Sequence, residues 1–178
     1  VSISSDGSRI LFGSRASSAT NNKGRIQVHE YDSINNSYTN IFDESANYDY
    51  QHLGSTGNIK ISQDGNKIVY SSRPDPNNLT TKTQIIIREY NGTNWTSNTS
   101  TINIDASANY YIGGMSEDFN TLYLYIISTS YGRSFKIYYY SSGAWSNTAT
   151  IEPAATTYNS DYGSNNNKGI SKNGNYIV

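Results

Sequence analysis

The chain has 178 residues, with 13 Lys and Arg against 14 Asp and Glu and a formal charge of −1, so it lacks the basic field that nucleic acid or an anionic membrane surface would demand. It has no cysteine, which excludes disulfides and thiolate metal sites, and no apolar run approaches the roughly 20 residues of a membrane-spanning helix. Seventeen tyrosines, three prolines and a polar fraction carried by Ser, Thr and Asn, without a long helical periodicity, point to an all-β fold.

In chain order, the pattern predicts a strand at 1–4, a tight turn at Asp6-Gly7 and a strand at 9–13. A small-residue loop at 14–24 precedes the strictly alternating strand 25–31, a turn and a fourth strand at 38–42. The connector 43–57 leads to the same order again: strands 58–62 and 67–71 around Asp64-Gly65, a loop at 72–82, strand 84–90, the turn Asn91-Gly92, and a fourth strand from Trp95 to Ile104. After 105–111 come strands 112–116 and 121–127, the loop 128–133, strand 135–140, the turn Ser142-Gly143 and strand 145–151. The segment 152–168 then connects to a truncated hairpin around Asn173-Gly174. In the third copy Phe119 stands where the other copies have the turn glycine. A bulky residue disfavours positive φ, so a different turn geometry is expected there.

Asp6, Asp64, Asp118 and Asn173 are 58, 54 and 55 residues apart. Third strands align on Tyr31, Tyr90 and Tyr140; Trp95 and Trp145 follow their tyrosines at equal distance, with Tyr38 two residues later in the first copy. This is a tandem repeat: repeat one at 1–57, repeat two at 58–111, repeat three at 112–168 and the start of a fourth at 169–178. Four short antiparallel strands cannot close a core alone, so the units are expected to stack as β-propeller blades, forming a partial propeller or an open array. A chain that starts and stops beside repeat hairpins reads as a segment of a longer protein.

The segment from Ile59 to Tyr70 with its Ser-x-Asp-Gly turn, followed by Gln84 to Tyr90 and the Trp95 strand, resembles the blade of FG-GAP-like and related Ser-x-Asp-Gly repeat β-propellers. These are familiar in extracellular and viral proteins of marine microbes, and integrin α-subunits carry a distant relative. The resemblance covers nearly the whole chain. The calcium-binding blades of that family carry Asp-x-Asp-x-Asp-Gly; no loop here does, so neither calcium nor any other cofactor is carried over.

In such a blade, turns one-to-two and three-to-four lie on one rim, and loops two-to-three and the crossovers lie on the other. All the short turns fall on the first rim and all the long segments on the second. Loops held by a rigid scaffold commonly carry binding. The candidate ligand-binding residues are therefore Tyr48, Asp49, Tyr50 and His52 in the first crossover, Arg73 in a two-to-three loop, Tyr110 and Tyr111 in the second crossover, Arg133, and Tyr158, Asp161 and Tyr162 in the third. Tyrosine offers a flat apolar face with a hydroxyl tip, suited to sugar stacking or a protein interface. The competing reading is that these tyrosines wedge between blades, as the matched tetrapeptides Ser45-Ala46-Asn47-Tyr48 and Ser107-Ala108-Asn109-Tyr110 suggest. His29 falls on the solvent phase of strand three, and Asp6 and Asp64 shape their own turns. No catalytic or metal motif occurs, and the five Asn-x-Ser/Thr sites (Asn35, Asn78, Asn91, Asn94, Asn98) match chance in so Ser/Thr-rich a chain.

The expectation is a non-enzymatic extracellular, cell-surface or virion-surface propeller segment. Its expected partner is a protein, a cell-surface glycan or further copies of itself, with no nucleic acid and no membrane insertion. The alternatives are a repeat subunit of a filament, fibre or sheath, or part of a propeller glycan lyase or hydrolase whose acid and base lie outside this segment.

Overall fold

The computed structural model describes residues 1–14, 23–47, 49, 51–54, 59–73, 83–96, 100–104, 108–128, 132–142, 144–151, 171 and 174. Their strands are β1 (Ser2–Ile3), β2 (Arg9–Ser14), β3 (Arg25–Asp32), β4 (Ser37–Ser45), β5 (Ile59–Ile61), β6 (Lys67–Ser72), β7 (Thr83–Glu89), β8 (Ser100–Ile104), β9 (Ala108–Met115), β10 (Thr121–Ser128), β11 (Gly132–Ser141) and β12 (Ala144–Ile151). They form three antiparallel meanders, β1-β2-β3-β4, β5-β6-β7-β8 and β9-β10-β11-β12, here called sheets one, two and three. Two compact units result: Val1–Ile104, with sheets one and two, and Asp105–Val178, with sheet three.

The recurring turn has one chemistry. In repeat one the Ser4 hydroxyl donates to Asp6 Oδ1 at 2.7 Å, and the same carboxylate oxygen accepts from the Ser8 amide at 2.9 Å. Ser4 Oγ in turn accepts from the Arg9 amide at 2.9 Å, and the Gly7 amide donates to the Ser4 carbonyl at 3.1 Å. Ser62 and Asp64 repeat this set with the amides of Asn66, Lys67 and Gly65. A short side chain that bonds its own backbone closes the reversal locally and fixes the register of the hairpin.

Repeat three uses the same turn, which corrects the expectation raised by Phe119. Ser116 Oγ donates to Asp118 at 2.6 Å, Asp118 accepts from the Asn120 amide at 3.0 Å, and the Phe119 amide donates to the Ser116 carbonyl at 3.0 Å. Phe119 takes the left-handed φ of 58°, close to the 71° of Gly65 and the 72° of Gly7. Its ring is only 5% exposed, so burial offsets the steric cost that glycine avoids.

The core between sheets one and two is aliphatic. Leu11, Ile26 and Val28 from sheet one meet Ile59, Ile61, Ile68, Tyr70 and Ile86 from sheet two, with Leu53 of the crossover completing the cluster. On sheet three, Leu122, Tyr123 and Leu124 are fully buried. Aromatic pairing beside the three-to-four turns repeats as the sequence alignment implies. Tyr31 lies 5.3 Å from Tyr38, Tyr90 5.4 Å from Trp95 and Tyr140 5.2 Å from Trp145, ring centre to centre.

Three connectors are shorter than expected, the loop expected at 128–133 shrinking to 129–131 because Ser128 pairs with Gly132 and Ile127 with Arg133. Asp43, Glu44 and Ser45 continue β4, paired with Gln27, Ile26 and Arg25 of β3, and the Arg25 guanidinium clasps Asp43. Residues 108–111 open β9, where Tyr110 and Tyr111 pair with Ile126 and Tyr125. The two Ser-Ala-Asn-Tyr tetrapeptides are therefore not equivalent: Ser45 ends a fourth strand, whereas Ala108 begins a first strand.

Candidate functional site

At the tight-turn end of sheets one and two, polar side chains are consumed in joining the repeats. Arg9 is 8% exposed. Its Nε and Nη2 donate to Glu30 Oε1 at 2.9 and 2.7 Å, and its Nη1 donates to the Gly65 carbonyl at 3.2 Å and to Asn66 Oδ1 at 2.6 Å. The guanidinium carbon sits 4.2 Å from the centre of the Tyr90 ring. Ser5 adds amide and hydroxyl bonds to the Gln63 carbonyl, both at 2.9 Å. Arg9 faces Glu30 across β2 and β3, and Lys67 Nζ lies 3.3 Å from Glu89.

A second cluster lies deeper, where strand four of sheet one meets sheet two. The Tyr70 hydroxyl donates to Glu44 Oε2 at 2.7 Å and accepts from Arg88 Nε at 2.5 Å. Arg88 Nη2 lies 2.5 Å from the same carboxylate oxygen, and Nη1 donates to the Thr96 carbonyl at 2.9 Å. Burial, then the Glu44 charge, pushes the Tyr70 hydroxyl far above the ordinary phenol range. Burial opposes the charge on Arg88, but Tyr70 and Glu44 outweigh it and hold its pKa above the usual value. Carboxylate, phenol and guanidinium look like a catalytic set in isolation. Here Tyr70 is fully buried and each group is satisfied by the others, which makes the cluster a pin between sheets rather than a site for a reacting molecule.

The long-connection end is built differently. Residues 51–54 are drawn inward over the sheets: the Leu53 amide donates to the Lys23 carbonyl at 2.9 Å, Gly54 to Ser71 at 3.0 Å, and Arg73 donates back to Gln51 at 2.8 Å. Gln51, 7% exposed, anchors the path; its Nε2 donates to Ser72 Oγ and its Oε1 accepts from the Asn47 amide, both at 2.8 Å. His52 is also 7% exposed and has a φ of 52°. Glycine is required where this path crosses sheet one: a Cβ on Gly54 would lie 2.0 Å from Ile26 Cδ1, and one on Gly13 would lie 2.3 Å from the Gly54 carbonyl oxygen.

The predicted site residues thus separate. Asp49 is half-buried and its carboxylate lies 3.5 Å from Lys23 Nζ, with both side chains over two-fifths exposed. Arg73 is exposed, whereas His52 is inside. Tyr110, Tyr111 and Arg133 lie in strands at the long-connection end of sheet three. Tyr111, 37% exposed, begins a row that the sequence reading missed, continuing in register through Tyr125 and Phe135 to Ile151. Its rings lie 6.3 Å (Tyr111 to Tyr125) and 5.3 Å (Tyr125 to Phe135) apart. Tyr48, Tyr50, Tyr158, Asp161 and Tyr162 lie outside the described residues. Beside the row, the Tyr123 hydroxyl is buried with no hydrogen-bond partner among the described residues, and burial pushes its pKa up to about 12. Among the described residues no group of three or more His, Asp or Glu is placed to hold a metal ion.

No family model matches the chain, and no curated protein matches it in sequence. Solved structures do. The crystal structure of TolB from Acinetobacter baumannii is similar with a TM-score of 0.55 and 11% identity, over 99% of this chain and 36% of its own. A candidate 6-phosphogluconolactonase from Bacteroides uniformis is similar with a TM-score of 0.53 and 17% identity, over 98% of this chain and 44% of its own. The chain spans less than half the length of either, and at these identities the likeness establishes the fold alone: an all-β, β-propeller-like array of four-stranded antiparallel blades.

Proposed function

We propose that this chain is a non-enzymatic β-propeller segment, extracellular or on a virion surface, that recognises a protein or cell-surface glycan through the long-connection ends of its blades. The observation that carries the reading is the division of labour between the two ends of sheets one and two. At one end the connections are short and close on their own side chains, and Arg9 and Ser5 are committed to the neighbouring repeat. At the other end of sheets one and two the connections 15–24, 46–58 and 73–82 are long and present the Lys23–Asp49 pair and Arg73 to solvent, whereas at sheet three the connections 105–107 and 129–131 are three residues each and Tyr111 presents its edge from β9. Polar, aromatic loops on a rigid β scaffold suit recognition of polyhydroxylated or protein surfaces. In the Glu44–Tyr70–Arg88 cluster the phenol is fully buried and each group bonds the others, which supports a non-catalytic reading.

The test is a glycan array together with a panel of host-surface proteins, probed with the wild-type chain and with Tyr50→Ala and Tyr162→Ala. Binding weakened at least tenfold in either variant, with an unchanged far-ultraviolet spectrum, supports the reading. Binding that both variants retain in full, or no binding by the wild type, overturns the assignment to these connections.

A further inference from the structure

Two Asn-Gly dipeptides occur in the chain, Asn91-Gly92 and Asn173-Gly174, and their surroundings differ. Asn91 opens the turn between the third and fourth strands of sheet two, where Asn91, Gly92, Thr93 and Asn94 are all exposed. Its Oδ1 accepts from the Thr93 amide at 3.0 Å and from the Asn94 amide at 2.8 Å. Among the described residues, neither the Asn91 side-chain nitrogen nor the Gly92 amide donates a hydrogen bond. Gly92 has a φ of 95°, and a Cβ added there would meet nothing within 4 Å. Gly174 lies in a packed turn instead. Its amide donates to the Ser171 carbonyl at 2.9 Å, and an added Cβ would lie 2.4 Å from Thr121 Oγ1.

The groups left free at Asn91-Gly92 are those that a spontaneous hydrolysis of the side-chain amide uses. The Gly92 nitrogen is the nucleophile once hydroxide removes its proton. Asn91 Cγ is the electrophile, and the two amides on Oδ1 stand where negative charge gathers as the carbonyl is attacked. Glycine leaves the approach without a side chain and the backbone free to turn. A bond forms from the Gly92 nitrogen to Asn91 Cγ, and the bond from Cγ to Nδ2 breaks. The side-chain nitrogen leaves as ammonia with a proton from water, and a succinimide ring remains. Water then adds to one of the two imide carbonyls and breaks its bond to nitrogen. The net change is amide plus water to carboxylate plus ammonium, with no oxidant and no cofactor. At Gly174 the equivalent nitrogen is committed to the Ser171 carbonyl.

We propose that Asn91 is a site of spontaneous modification in the folded protein, converted through a succinimide to aspartate and isoaspartate, and that Asn173 is spared because the Gly174 amide is engaged. The turn accepts the aspartate product. In repeat one the place after the strand-three tyrosine is held by Asp32, whose Oδ1 accepts from the Ile34 amide at 2.9 Å and from the Asn35 amide at 3.3 Å. Isoaspartate does not fit. It routes the backbone through Cγ and so adds a methylene to a turn that the Asn91 amide closes on the Asn94 carbonyl at 3.1 Å. That turn sets Trp95 in its bridge with Tyr90 and against Phe42 of sheet one, 5.7 Å ring centre to centre. The modification therefore reaches the boundary between repeats one and two.

The test is a time course of the wild-type chain in mildly alkaline buffer, read by peptide mapping with mass spectrometry and by isoaspartyl methyltransferase labelling. In the folded chain Asn91 is expected to lose its amide about tenfold faster than Asn173, at a rate proportional to hydroxide. In guanidinium chloride, where both glycine amides are free, the two sites should react at similar rates. The isoaspartate fraction should melt below the unmodified chain, whereas Asn91→Asp should keep the wild-type thermal midpoint. Folded-state reaction at Asn91 that is absent, or no faster than at Asn173, overturns the proposal. A preference for Asn91 that persists unchanged in denaturant overturns it too, because the fold would then not be its cause. An Asn91→Asp chain that melts as low as the isoaspartate fraction overturns the fit of the aspartate product.

Discussion

Replacing Arg9 with Met tests whether the repeats are joined by polar contacts as well as by the aliphatic core. Methionine keeps most of the buried stem and removes the guanidinium. The pair with Glu30 carries little of the expected loss, because the Glu30 side chain is 37% exposed and such pairs contribute about 0–1 kcal/mol. The larger part comes from the bonds to the Gly65 carbonyl and Asn66, the first of which is buried. A charge-assisted bond is worth about 1.5–3 kcal/mol, and leaving a buried carbonyl unpaired is penalised further. The Tyr90 contact adds about 0.5–1 kcal/mol. After allowing for non-additivity, the expected loss is about 3 kcal/mol. Guanidinium chloride unfolding at neutral pH, followed by tryptophan fluorescence, reads it directly, since Trp95 contacts Tyr90. Arg9→Lys, which keeps the charge without the planar fork, should fall between wild type and Arg9→Met. A double-mutant cycle with Asn66→Ala should show coupling across the repeat boundary. A loss below about 1 kcal/mol for Arg9→Met, or additivity in the cycle, would refute the argument, because contacts of this geometry cannot then be contributing their usual energy.

Two further substitutions examine the turns. Phe119→Gly relieves about 1–2 kcal/mol of left-handed strain but gives up about 1.5–3 kcal/mol of ring burial; thermal unfolding should show a net destabilisation, and a stabilised variant would contradict the burial argument. Acid sensitivity follows from the turn carboxylates. The Ser8 amide, then the Ser4 hydroxyl, hold Asp6 down at a pKa of about 2 against its usual 3.8, and Asp118 is lowered by Ser116 and Asn120 against the opposing effect of burial. A folded-state pKa below the unfolded value means that the unfolded chain takes up protons first as the solution is acidified. The stability from Asp6 is therefore present in full above about pH 4 and is lost as the pH falls toward 2. Asp6→Asn should flatten that part of the pH–stability curve, and an unchanged slope would show that the turn bonds do not discriminate the ionised form.

What the sequence made legible follows from which forces are local. The hairpin turns were readable because Ser, Asp and Gly act within a few residues of one another, and the strands because alternation records which face is buried. Phe119 was misread because a backbone rule was applied where side-chain burial prevails. Asp43–Ser45 and Ala108–Tyr111 read as connectors by their composition; strand pairing with Arg25–Gln27 and Tyr125–Ser128 extends the sheets through them all the same. Arg9 and the Glu44–Tyr70–Arg88 pin went unnoticed since their partners lie 18 to 57 residues away. Of the candidate site, the placement of long connections at one end of sheets one and two was readable from length alone, whereas at sheet three strand pairing leaves three residues at 105–107 and three at 129–131. The inward course of residues 51–54 was not readable, because it depends on gaps left by Gly13 in β2 and by Gly24 just before β3.

The connections between second and third strands differ in length, at 15–24, 73–82 and 129–131, yet the flanking strands pair in the same antiparallel register from their first residues. Loop closure depends only weakly on length, and the opposite turns, which close on their own side chains in all three sheets, fix the hairpins without it. The architecture thereby uncouples heritable change at one edge from the integrity of the whole. Segments could be lengthened, shortened or exchanged there, and new specificities drafted onto the same frame, without re-solving the folding problem.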